Sequence, residues 1–352
     1  MKSACFEKRS QALRRLLKAE NLDAYITLST LEQRYLSGAE LLAGEAVFVV
    51  TRNQTYCVTK QMLAAKIAAA NKNIKLHLAE FGSILRGALI LIKQKKLKSC
   101  AFDGTLVSLD EGQTLLSVGA VRKDGLLLPL RAQKDADEIA KIKHACKIAS
   151  DAFAEVKPKI KTGMSEEDVR VMMATAMVAR GANGIPFNIV CFGENGADAH
   201  HMPSSKRKLK AEDAILMDFG CFYQGYLSDM TRSWWHGKKA PAEYTKIWNI
   251  VDKAYKASVK ILKAGIKAGA ADAAARDLIT AQGYGKEFFH TTGHGVGLYV
   301  HEEPFLRKNS SKIVPVNAAV TIEPGIYLDG KFGVRLEDTF LVTKTGRKKL
   351  TY

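Results

Sequence analysis

Four carboxylates and one imidazole stand where strands of a folded protein should carry apolar side chains. Asp218 closes the apolar run Ala214-Ile215-Leu216-Met217, and a buried carboxylate there is costly unless it is paired or bound to a cation. Asp229 follows eleven residues later, with Gly220 and Gly225 between them to let the chain turn back and bring the two carboxylates together. Glu323 interrupts Val320-Thr321-Ile322 ahead of Pro324-Gly325, and Glu337 sits within Gly333-Val334-Arg335-Leu336-Glu337-Asp338. His294 lies in Phe289-His290-Thr291-Thr292-Gly293-His294-Gly295-Val296-Gly297, where glycines permit close backbone approach around one ring. Singly, each has a plainer reading: a strand-end Asp is more often a cap or turn residue, and a lone His between glycines is at least as often in a turn. Together, four carboxylates and one imidazole suit two divalent cations sharing bridging oxygens.

The elements that must position these groups follow from periodicity. Helices are expected over roughly 135–157 and 165–181, then strands near 188–192 and 214–219. Two more helices are expected near 243–264 and 271–282, ahead of a strand-rich end from Val320 to Val342. Asp135 with Glu138 three residues on has the form of a helix start, an N-cap acceptor with an acidic first turn. Before this block, an amphipathic helix at 7–20, a strand at 24–28, a hairpin of 45–50 with 55–59 and an alanine-rich helix at 62–70 make a small α/β unit. Pro129 should interrupt regular structure, so the expected domains are 1–128 and 129–352.

Composition bounds the class. The chain is 47% hydrophobic and 25% charged, as in ordinary globular proteins. No run approaches the roughly 20 apolar residues of a membrane span, and Met1-Lys2-Ser3-Ala4-Cys5-Phe6-Glu7-Lys8-Arg9 lacks the apolar stretch of a signal peptide. Six cysteines without paired spacing are read as small buried hydrophobes in a reducing compartment, so cytoplasm is the expected location. The net charge of +17 raises nucleic acid as a partner, with patches at Lys206-Arg207-Lys208 and Lys93 to Lys98. These runs lack interleaved aromatics and fit a solvated basic surface better.

In this order and with these flanks, the five residues resemble the metal ligands of the pita-bread metallopeptidases, the group of Xaa-Pro aminopeptidase, prolidase and methionine aminopeptidase. Arg131-Ala132-Gln133-Lys134-Asp135-Ala136-Asp137-Glu138-Ile139 is similar to the start of the catalytic domain in the Xaa-Pro branch. The resemblance implies an α+β protein, a mixed or antiparallel sheet surrounded by helices, preceded by a smaller α/β domain of the creatinase N-terminal kind. It implies that Asp218 binds one metal, that His294 and Glu323 bind the other, and that Asp229 and Glu337 bridge both. Asp213 belongs to the same block without being a ligand. His301, in His301-Glu302-Glu303-Pro304, and His201 match positions that contact substrate and transition state. His290 would line the same site, and Arg335 would support Glu337 by a charge-assisted contact. His200 is adjacent to His201, and spacing to Asp218 without an insertion favours His201.

The implied chemistry is attack of a metal-bridging hydroxide on the scissile carbonyl, with His301 or His201 stabilising the oxyanion and Glu323 carrying a proton to the leaving nitrogen. Manganese is the first choice of metal, with cobalt, zinc or iron as alternatives. Arg335-Leu336-Glu337-Asp338 and Thr321-Ile322-Glu323-Pro324-Gly325-Ile326-Tyr327 resemble the Xaa-Pro branch, and the complete ligand set argues against creatinase and metal-free binding relatives. Dipeptidases often carry Arg directly after the His-Glu-x-Pro motif to hold the substrate carboxylate. Here that residue is Phe305, with Arg307 two further on, which favours an Xaa-Pro aminopeptidase over an Xaa-Pro dipeptidase (prolidase). A homodimer is expected from the same resemblance.

Overall fold

The computed structural model describes residues 2–79 and 82–352. The chain divides into two compact units, Met1–Arg131 and Ala132–Tyr352. The division falls three residues beyond the expected one because Pro129 does not end regular structure. It lies in the first turn of a short helix, Leu128–Ala132, where the missing N–H is not needed.

In the first unit, helices α1 (Lys2–Ala19), α2 (Thr30–Ser37), α3 (Gln61–Ala70), α4 (Ile84–Gln94), α5 (Leu109–Ser117) and α6 (Leu128–Ala132) accompany six strands. These are β1 (Ala24–Thr27), β2 (Ala46–Thr51), β3 (Thr55–Thr59), β4 (Lys75–Leu78), β5 (Cys100–Phe102) and β6 (Val121–Arg122), in the order β4-β3-β2-β1-β5-β6. The expected hairpin is β2-β3, and β1 pairs antiparallel with β2 and parallel with β5. Helix α1 begins five residues before the expected start, and Cys5 is only half-buried, unlike Cys57, Cys100, Cys146, Cys191 and Cys221.

The second unit opens with α7 (Ala136–Val156) and α8 (Glu166–Ala179). Asp135 accepts from the Glu138 N–H and Glu138 returns the bond, the capping box that the sequence suggests; Ser165 and Asp168 repeat it on α8. Strands β7 (Gly184–Phe192), β8 (Asp213–Tyr223), β9 (Tyr226–Leu227) and β10 (Met230–His236) form an antiparallel sheet in the order β10-β8-β7, with β9 on β8. After α9 (Ala242–Ile261) and α10 (Ala268–Ala281) come β11 (Gly293–Gly295), β12 (Glu302–Leu306), β13 (Ala319–Ile322), β14 (Gly325–Leu328), β15 (Phe332–Arg335), β16 (Asp338–Val342) and β17 (Arg347–Lys349). The second sheet runs β12-β11-β13-β16-β17, and β14-β15 is a separate hairpin.

Packing fixes where these strands end. Ile148, Ala152, Val169 and Met173 of α7 and α8 lie against Ile215, Met217 and Phe219 of β8. Ile247, Val251, Ala275 and Ile279 of α9 and α10 lie against Ile326 and Val334 of β14 and β15. Each of the Ile, Val, Met and Phe side chains among these contributes roughly 1.5–3 kcal/mol when fully buried, so both helical layers hold the strands that carry or adjoin the acidic residues. Among the described residues no helix is long and apolar enough to cross a membrane.

Candidate metal centre

Each acidic ligand candidate except Asp218 sits at a strand end or within a short turn. Asp218 lies inside β8, opposite Thr231 of β10 and Ile189 of β7. The chain reverses through Gln224 and Gly225, both at positive φ, and returns to place Asp229 just before β10. Gly220 plays a different part from the one expected. It lies within β8, where a Cβ would come 2.2 Å from the Ser228 carbonyl oxygen, so it permits close approach rather than the turn. Glu323 follows β13, its N–H bonded to the Thr292 carbonyl, and Glu337 lies between β15 and β16, its N–H bonded to the Thr231 carbonyl. His294 occupies the middle of β11, where a Cβ on Gly293 would stand 2.1 Å from the Thr321 oxygen.

Asp229, His294 and Glu337 offer ligand atoms all within 4.8 Å of one another, and all three are buried. His294 Nδ1 faces the Gly295 carbonyl at 3.1 Å, which requires a hydrogen on Nδ1. Nε2 then faces Glu323 at 3.2 Å and Asp229 at 3.7 Å. A neutral ring would aim a lone pair at two carboxylates, an arrangement that needs either a second ring proton or a cation between them. Glu337 accepts from the Thr231 hydroxyl at 2.6 Å on one oxygen, and Asp218 accepts from Arg335 at 2.7 Å on one oxygen. Among the described residues the other oxygen of each is buried without a hydrogen-bond partner. Oxygen donors with one lone-pair set left unused, converging on an imidazole nitrogen, fit a hard divalent cation.

The ionisation behaviour agrees. Burial, then the neighbouring charges of Glu337, Asp218 and Glu323, hold the Asp229 carboxyl well above its ordinary range. Burial followed by Glu323 and Asp218 does the same for Glu337. Burial also opposes ionisation of Glu323, but the hydrogen bond and charge of His294 more than offset it and bring the carboxyl down to about 2. The sequence-predicted ligands are thus brought together, Asp229, His294 and Glu337 most tightly, with Glu323 against His294 and Asp218 reached through Arg335.

Among the described residues Arg335 makes no direct contact of the expected charge-assisted kind with Glu337; it reaches that carboxylate only through the Thr231 hydroxyl. It donates to Asp218, to the Thr231 hydroxyl at 3.0 Å and to the Tyr327 hydroxyl at 2.6 Å, and Tyr327 in turn meets His290 Nε2 at 2.8 Å. Thr231, Tyr327, Arg232 and Asp338 escaped the sequence reading. Arg232 donates to the Glu337 carbonyl at 2.6 Å and to Asp338 at 2.9 Å, which fixes the peptide that carries Glu337. The signal was present in the polar residues of β10 and in Asp338 directly after Glu337.

The cluster forms the wall of a cavity of about 1180 Å³, also lined by His290, His301, Phe289, Tyr299, Arg307 and Lys308. The His301 ring lies 4.4 Å from that of His294. His200 lines the cavity, and His201 does not. His201 Nε2 is instead bonded to the buried Glu166 carboxylate at 2.9 Å. Counting residues to Asp218 fixed a position along the loop but not which of two successive side chains faces inward.

An antiparallel α+β unit whose buried carboxylates and imidazole could hold a cation in the wall of a substrate-sized cavity has the form of a metal-dependent enzyme. The chain matches metallopeptidase family M24 over residues 140–344 and the creatinase/prolidase N-terminal domain over residues 9–132. It belongs to family M24, within the pita-bread Xaa-Pro peptidases. It is 34% identical over 337 residues to an Xaa-Pro dipeptidase of Pyrococcus horikoshii, covering 94% of this chain and 93% of the relative. Its fold is similar to that of an Xaa-Pro dipeptidase from Bacillus anthracis, with a TM-score of 0.93 and 29% identity over 98% of this chain and 97% of the other. An X-Pro aminopeptidase from Thermotoga maritima matches with a TM-score of 0.87 and 29% identity over 96% and 97% of the two chains.

Proposed function

We propose that this chain is an Xaa-Pro dipeptidase that uses two divalent cations to cleave the bond between an N-terminal residue and a C-terminal proline. This replaces the aminopeptidase reading drawn from Phe305. The observation that carries a hydrolytic function is the Asp229, His294 and Glu337 cluster, with buried unpartnered oxygens on Asp218 and Glu337, in the cavity wall. The dipeptidase preference is supported by the names of relatives and by Arg307 and Lys308 on the same wall. Among the described residues neither has an ion-pair partner, the Arg307 guanidinium lying only over the Phe305 ring at 5.7 Å, so either is available to a substrate carboxylate.

Asp218, Asp229, His294, Glu323 and Glu337 would hold the cations, which supply Lewis acidity and a lowered pKa for water near neutral pH. The chain's own groups do the rest. His301, its imidazole kept neutral by burial and by His294, and His200 are placed to donate to a developing oxyanion. Glu323, ionised at neutral pH, would take the proton lost by the attacking water and return it to the prolyl nitrogen as the C–N bond breaks. Arg335 and Tyr327 hold Asp218 and His290 in place. The reading takes manganese as the working metal and the enzyme as a cytoplasmic homodimer, the latter checked by mass from light scattering.

The test is initial-rate hydrolysis of Ala-Pro, Ala-Pro amide and Ala-Pro-Ala by manganese-loaded protein. The reading expects kcat/KM for the free dipeptide to exceed the other two by at least about 10-fold, the value of one lost charged contact. Preference for the tripeptide restores the aminopeptidase. Failure on all three removes the Xaa-Pro assignment.

A further inference from the structure

The doubled histidine at 200 and 201 has a physical explanation outside the metal cluster. Glu166, the first residue of α8, is fully buried, yet its carboxylate does not cap its own helix, a task left to Ser165 and Asp168. One oxygen accepts from the Phe192 N–H at 2.8 Å and the Asn195 amide at 2.9 Å. The other accepts from the Ser204 N–H at 2.9 Å and faces His201 Nε2 at 2.9 Å. A carboxylate has about four lone-pair sites, so these donors saturate it, and Nε2 must carry the hydrogen. The four partners come from the end of β7, the following turn and both sides of the 201–204 segment. The same loop is pinned at its start, where the His200 N–H bonds the Asp198 carboxylate at 3.0 Å. Successive side chains therefore diverge, His201 toward Glu166 and His200 into the cavity with Asp218, His294 and His301.

We propose that His201 is a positioning residue, clamped by the buried Glu166 carboxylate, which holds the 198–204 loop so that His200 is the imidazole presented to substrate. This rests on the peptidase reading for its rate effects but not for its geometry. Loss of the His201 clamp leaves a saturated buried carboxylate one donor short and frees the loop, and a displacement of about 1 Å at a catalytic group is enough for a 100-fold rate loss.

Two measurements test it. The first is a double-mutant cycle of His200→Ala and His201→Ala, read as kcat and KM on manganese-loaded protein with Ala-Pro. His200→Ala should lower kcat by about 100-fold or more, and His201→Ala by roughly 10-fold to 100-fold. His201→Ala added to His200→Ala should cost nothing further, because it acts through the missing ring. His201→Gln, whose amide reaches Glu166, should recover most of the rate, and it serves if the alanine variant fails to fold. A deeper loss in His201→Ala than in His200→Ala, or equal losses in both backgrounds, overturns the proposal. The second is modification by diethyl pyrocarbonate, located by fragment mass spectrometry. Wild type should react at His200 and spare His201, and Glu166→Gln should expose His201 and change the rate at His200. Reaction at His201 first, or a His200 rate unmoved by Glu166→Gln, refutes the clamp even if the protein cleaves no Xaa-Pro peptide.

Discussion

Replacing Asp229 by asparagine should stabilise the metal-free protein while destroying its response to metal. Asp229 and Glu337 place carboxylate oxygens within 4.8 Å of one another. At an effective dielectric constant of about 20, two full charges at that separation repel by roughly 3.5 kcal/mol. Without a cation the protein relieves part of this by retaining a proton, and burial first, then the neighbouring carboxylates, holds both carboxyls well above their ordinary range. A folded-state pKa raised above the unfolded value contributes stability that is complete below the unfolded pKa and is lost as pH rises through the folded one. The wild-type, chelator-treated protein should therefore lose stability from mildly acidic pH toward pH 8. Asp229→Asn removes one charge of the pair at a side chain that, among the described residues, makes no hydrogen bond and meets His294 Nε2 only at 3.7 Å, so at pH 8 it should gain about 1–3 kcal/mol, part of the full repulsion. For a domain of this size that is roughly 3–10 °C in Tm. The assay is thermal unfolding by circular dichroism at pH 5.5 and pH 8, with chelator and with excess manganese. Wild type should gain strongly on metal addition and the variant should gain almost nothing. A variant less stable than wild type in chelator at pH 8, or one that keeps the full metal increment, refutes the reasoning.

Arg335→Gln should destabilise the enzyme by about 3–5 kcal/mol, since it leaves the Asp218 carboxylate buried beside Glu323 with its guanidinium gone; urea unfolding in the presence of manganese measures this. Gly293→Ala should cost about 1–3 kcal/mol or more and abolish metal uptake, because the added Cβ meets the Thr321 oxygen at 2.1 Å and must displace β11 with His294; metal content by mass spectrometry checks it. Arg307→Ser should raise KM for Ala-Pro by about 10-fold with kcat nearly unchanged, the signature of lost uniform binding, and should leave Ala-Pro amide unaffected.

The candidate metal centre was legible because its residues violate the strand pattern. A carboxylate after four apolar residues, as at Asp218, has few satisfactory fates, and five such violations in one unit point to a shared cation. The helix start at Asp135 was legible for a local reason, since a capping box is written within four residues. The supporting network was hidden. Arg232, Asp338 and Thr231 act across β10 and β16, on segments separated by more than 100 residues, and nothing local marks them as partners. Gly220 was misread because a glycine needed for close approach looks the same in sequence as one needed for a turn. The side chain choice between His200 and His201 was set by a buried acceptor on α8, 35 residues away from His201, that no spacing rule detects.

The most direct test of the account is to strip the protein with chelator, reload it with manganese, and follow Ala-Pro cleavage together with bound metal. The account predicts no cleavage in the stripped protein, recovery as metal approaches two equivalents, and neither recovery nor full loading in Glu337→Gln. Cleavage that survives metal removal, or saturated metal binding with no cleavage of Ala-Pro, would contradict it.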